Sequence, residues 1–207
     1  MTATLEAVFG RNITLLYNSI SLPSINLVKA KEIFTDGEPA IVQLPGAVTV
    51  FNSQSSPLTV QIDSKRIVIN AFDDGKDLGN YPLCNFAIKF NELIVDNSKI
   101  EAFGFNYNFG FLSDENLSES LLSFFSIDVI PLMKSFGGSI VDFCPNFKVE
   151  GNGSKFNYVF EKHSEVQLKV HVNSHFIAEK LPEELELKKY FVENYEIARD
   201  NLENFMR

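Results

Sequence analysis

The stretch "FGFNYNFGF", from Phe103 to Phe111, puts a ring at every second position and only glycine or asparagine between. Successive side chains of a strand point to opposite faces, so Phe103, Phe105, Tyr107, Phe109 and Phe111 share one side and Gly104, Asn106, Asn108 and Gly110 the other. A face that apolar must be covered, and the chain's other aromatics fall mostly on strand parity or helix stripes. That pattern predicts an α+β domain: a mostly antiparallel, curved sheet with about three helices packed on one face, one of them a long C-terminal helix.

Odd-numbered apolar residues from Leu5 to Tyr17 predict a first strand, broken near Gly10. A short helical turn around Val28 to Phe34 precedes two short strands separated by Pro45-Gly46. In "PLTVQIDSKRIVIN" a two-residue turn at Ser64-Lys65 sets Val60 against Ile69 and Ile62 against Ile67. Leu83, Phe86, Ala87, Phe90, Leu93 and Ile94 form a helix stripe from about Pro82 to Val95. Ser113-Asp114-Glu115 caps another helix, which Pro131 ends or kinks. A three-strand meander follows, with Phe143 and Phe147 on the apolar side of its first strand. A three-residue "HSE" loop there places Phe160 opposite Leu168 and Tyr158 opposite Val170. Pro182 and Glu183, Glu184 and Glu186 open a terminal helix of about 22 residues, roughly 33 Å long.

The 207 residues suit one domain, 1–207, with 1–55 as a more loosely attached part. No apolar run reaches the roughly 18 residues of a membrane span, and no leader pattern opens the chain, so a cytoplasmic location is expected. Cys84 and Cys144 are expected as buried thiols. The net charge of −9 argues against direct nucleic-acid binding and suits a basic protein surface.

The order "LEAVFGRN", "LTVQIDSKRIVIN", "YPLCNFAIKFNEL", "IEAFGFNYNF" and a terminal helix is similar, over most of the chain, to a sporadically distributed prokaryotic family of uncharacterised proteins. Ala71 stands where an aromatic would follow "RIVIN", and an arginine before "NYN" is absent. The resemblance implies one continuous domain of prokaryotic or phage origin, and implies no activity and no site.

GxSxG, GxxxxGK[ST], GxGxxG and HExxH do not occur, and no cofactor is expected. His171 and His175 share a strand face with Lys169 and Asn173, and Asp142 and Cys144 share the corresponding face of the neighbouring hairpin. A whole strand, about 10 Å, separates the two sets, so no metal is expected. The acids Asp73, Asp74 and Asp77 lack calcium-loop spacing. The candidate binding residues are the polar strip Asn106, Asn108, Asn157, His171, Asn173 and His175, and the helix-start acids Glu183, Glu184 and Glu186. They point to a non-catalytic interaction protein, an accessory, inhibitor or regulatory subunit with a protein partner or a second copy of itself as homodimer. The alternatives are a small-molecule binder or enzyme with a pocket between sheet and helices, lined by Tyr107, Tyr158 and Asn106, and an acidic mimic of nucleic acid.

Overall fold

A computed structural model of the chain describes residues 3–72, 83–94, 99–125, 127–136, 143–151 and 154–207. The elements are β1 (Ala3–Tyr17), a 3-10 turn (Leu22–Ser24), α1 (Leu27–Glu32), β2 (Ala40–Leu44), β3 (Val48–Asn52), β4 (Leu58–Asp63), β5 (Arg66–Ala71) and α2 (Leu83–Glu92). Then come β6 (Ile100–Ser113), α3 (Leu117–Phe124), α4 (Val129–Phe136), β7 (Asn146–Gly151), β8 (Ser154–Lys162), β9 (Gln167–Ile177) and α5 (Glu184–Met206). The strands form one open antiparallel sheet of order β2-β3-β4-β5-β1-β6-β9-β8-β7. No described helix is long and apolar enough to cross a membrane.

Local chemistry places the turns and helix starts. Asp63 Oδ1 accepts from the backbone N–H groups of Lys65 and Arg66 and closes the β4–β5 turn, where Val60 meets Ile69 and Ile62 meets Ile67. Gly46 takes φ +70° between β2 and β3. Asn26 caps α1 and Asp128 accepts from Ile130 N–H at the start of α4. Pro131 therefore lies in the first turn of a second helix rather than ending the first, because that turn needs no N–H from it.

The rings of β6 are core. Phe105 meets Phe191 edge to face at 5.4 Å, Phe109 stacks on Tyr195 at 5.5 Å, and the Tyr107 hydroxyl donates to the Phe191 carbonyl at 2.7 Å. Phe51 packs against Phe90 of α2 at 5.5 Å, so α2 and α5 cover the same face of the sheet.

The register reveals an internal duplication. Arg11 pairs with Tyr107, Asn12 with Asn106 and Ile13 with Phe105, so a local twofold relation between β1 and β6 passes through the Asn12–Asn106 pair. It carries Gly10 onto Gly104, Asn70 onto Asn173, Thr59 onto Asn157 and Phe51 onto Phe147, each with matching partners. The sequence keeps traces of it: Phe9-Gly-Arg-Asn12 against Phe103-Gly-Phe-Asn106, and "IVINA" from Ile67 against "VHVNS" from Val170. A Cβ at Gly10 would meet the Ala71 carbonyl oxygen at 3.4 Å, and one at Gly104 the equivalent Ser174 oxygen at 2.8 Å. Only at Gly104 does the missing side chain let neighbouring backbone approach closely.

Several expectations are corrected. The first strand is continuous, but two register shifts in β1 against β6, between Leu5 and Ala7 and between Val8 and Gly10, make Glu6 and Phe9 extra residues. The second shift puts Val8 in the core and turns Phe9 outward, 55% exposed. Phe160 faces Val170 and Tyr158 faces Val172, two residues from the expected register, because the β8–β9 connection is longer than "HSE". Val166 is 40% exposed in that connection. Cys84 is buried, but Cys144 is exposed, lying just before β7 begins. Asp73, Asp74, Asp77, Asp142 and the Asn152-Gly153 turn lie outside the described residues.

Candidate functional site

The sheet face away from α2 and α5 carries a row of short polar side chains. Cross-strand partners share a face, and the pairings run Asn52, Thr59, Asn70, Asn12, Asn106, Asn173, Asn157 and Lys148 across β3, β4, β5, β1, β6, β9, β8 and β7. From Asn52 to Asn157 the row spans about 29 Å at the usual strand spacing of about 4.8 Å. Its centre is knitted together: Asn173 Nδ2 donates to Asn106 Oδ1 at 2.8 Å, and Asn106 Nδ2 to Asn12 Oδ1 at 2.6 Å. Thr14 Oγ1 also donates to Asn12 Oδ1, and Asn70 Nδ2 to Thr59 Oγ1. Each amide keeps donor or acceptor capacity beyond these bonds.

Of the expected strip, Asn106 is the most enclosed, at 9% exposure, because its neighbours on both sides lean over it. Asn108 sits one step along β6, and its Oδ1 lies 3.0 Å from His171 Nδ1, from which it accepts when that nitrogen carries the proton. Burial, with the Lys169 ammonium beside it, holds the His171 imidazole below its ordinary range, so it is neutral near pH 7. Asn157, Asn173 and His175 come together around a cleft of about 550 Å³ with Lys148, Glu150 and Lys155. Lys155 pairs with Glu150 at 3.1 Å, and the buried Asn157 Oδ1 has no hydrogen-bond partner among the described residues.

A smaller pocket of about 250 Å³ lies further along the same face, lined by Glu6, Phe9, Gly110, His163, Gln167 and Lys169 with the Phe111 and Leu168 backbone region. Both extra residues of β1 contribute to it.

The acids Glu183, Glu184 and Glu186 are not brought to this face. They open α5, where Glu184 accepts from Asn85 of α2 at 3.0 Å and Glu186 from the Tyr190 hydroxyl at 2.8 Å. Tyr107 and Tyr158 lie on the opposite side of the sheet from Asn106. They are tied to the Phe191 carbonyl and to Asn201, so these three line no common pocket.

Burial pushes the Cys84 thiol up to about 12 and Tyr107 well above its ordinary value, so neither supplies a nucleophile near neutrality. Among the described residues no group of three His, Cys, Asp or Glu could hold a metal ion. Sequence reasoning missed Asn12, Asn52, Thr59, Asn70 and Lys148, five of the row's eight members. The repeated F-G-x-N and the paired "IVINA" and "VHVNS" mark Asn12 as the counterpart of Asn106 and Asn70 as that of Asn173, without saying which strands pair. No family model matches the chain, and no curated protein matches its sequence.

Proposed function

We propose that this chain is a non-catalytic interaction protein, an accessory, inhibitor or regulatory subunit of a prokaryote or phage, and that it engages a protein partner through the sheet face carrying the amide row. The observation behind this reading is that row. Short polar side chains, six of them amides, held in register over seven strands give a flat surface that presents donors and acceptors without long side chains to immobilise, which lowers the entropic cost of docking. Phe9 and Phe72, 55% and 57% exposed, flank the centre of the row and supply the apolar area that a partner would cover.

Native mass spectrometry on the protein purified from its own host tests the reading. A stoichiometric second polypeptide is expected, and it should persist when Glu183, Glu184 and Glu186 are reversed to lysine. Loss of the complex on that charge reversal would move the contact to the helical side. A chain carrying only a small added mass would replace the protein partner with a small molecule.

A further inference from the structure

The twofold relation makes one departure from symmetry conspicuous. The duplicated Phe-Gly pairs should place their rings alike, yet Phe103 is in the core at 3% exposure and Phe9 is outside at 55%. The cause is the extra residue that β1 carries against β6 between Val8 and Gly10, and a second extra residue, Glu6, lies three positions before it. Bulges re-aim side chains, and these two aim a ring and a carboxylate into one place.

That place is the 250 Å³ pocket. The Phe9 ring sits over Gly110, where a Cβ would overlap its Cε2, so the absent side chain is what lets the ring seat against the sheet. Phe9 forms the apolar wall, the Gly110 and Phe111 backbone the floor, and Glu6, Gln167 and Lys169 the rim. The volume accommodates one large side chain and no more. The rim carries both signs of charge, with Lys169 also 4.0 Å from Glu161, so it selects no net charge. A carboxylate next to an aromatic wall favours a ring that carries its own donor, an indole N–H or a phenol O–H.

We infer that this pocket is the anchor site for a single tryptophan or tyrosine side chain of the partner polypeptide. The inference rests on the outer-face reading above and names the contact that dominates it, since interface energy concentrates where an aromatic fills a pocket.

The chain has no tryptophan, so N-acetyl-tryptophanamide can be followed by its own fluorescence without background. Titration of the whole protein should give a saturable blue shift. Phe9→Ala should weaken binding about tenfold or more. Gly110→Ala should weaken it too, by displacing the ring, and Glu6→Gln by about threefold through loss of the charged acceptor. Leu185→Ala, an exposed apolar residue at the start of α5 and away from the outer face, should leave it unchanged. Phe9 and Leu185 are both exposed, so circular dichroism should show both variants folded. Absence of a saturable shift, or equal loss in the Phe9 and Leu185 variants, would overturn the pocket. The outer-face reading fails separately, if the host complex survives substitution of both Phe9 and Phe72 by aspartate.

Discussion

The two repeats share a skeleton and differ in what they place on it. In the first, Phe51 is wholly buried against Phe34 and Phe90; its counterpart Phe147 is half-buried, stacked on Tyr158 and Phe160. Arg11 occupies the core-side position that Phe105 fills in the second repeat, and Val68 the outer-face position of His171. The outer face follows the same division. Val42, Val48, Val50 and Val68 enrich the first repeat's half in apolar side chains, whereas the second repeat's half is charged, with Lys148, Lys155 and Lys169 beside Glu150 and Glu161. The amides along the row change least: asparagines occupy both members of the central pair and of the next pair outward. Divergence around an unchanged centre teaches that the row is common to both repeats and that the differences between them lie in the flanks.

The largest expected effect separates the two cores. Phe51→Ala should cost about 3–5 kcal/mol and Phe147→Ala about half as much, read by urea denaturation. Equal costs would show that the half-exposure of Phe147 does not mark a looser core. Next come the paired glycines. Gly104→Ala forces a methyl to 2.8 Å from a backbone oxygen and should cost about 1–3 kcal/mol, while Gly10→Ala, at 3.4 Å, should be nearly neutral.

Within the row, Asn106→Ala should cost about 1–2 kcal/mol, because it strips partners from both Asn12 and Asn173 in an enclosed position. Asn157→Ala removes an amide whose Oδ1 has no described partner and should cost less. Reversal of that order would mean the row's outer end, not its centre, holds the face together.

The smallest effect is a pH dependence. His171 has a folded pKa below its ordinary 6.5, so the unfolded chain takes up the proton first. Its contribution is complete above about 6.5 and is lost as pH falls from there through the depressed folded value. His171→Val, which installs the first repeat's residue, should flatten that slope in thermal melts between pH 7 and 5. An unchanged slope would assign it to other groups.

Much of the fold was legible because strand parity and turn chemistry are local. "FGFNYNFGF" announced a buried face, and Ser64-Lys65 fixed the β4–β5 register. What escaped was non-local or one residue wide. The extra residues Glu6 and Phe9 leave no local mark, and a single one reverses which side of the sheet its neighbours face. The β8–β9 register depended on a loop length that "HSE" underestimates. Of the site, Asn106, Asn108, Asn157, His171, Asn173 and His175 were found by alternation within single strands. Asn12 and Asn70 were not, since their place in line with Asn106 depends on β1 pairing with both β5 and β6, a topology that no window of sequence contains.

The central claim is that the outer face, not the helical side, is the working surface. The most direct measurement is native mass spectrometry of the complex from the host, comparing the unaltered chain with a Phe9→Asp, Phe72→Asp double variant whose circular dichroism matches it. The account predicts a second polypeptide with the first and a bare chain with the variant. A second polypeptide retained by the variant would contradict it.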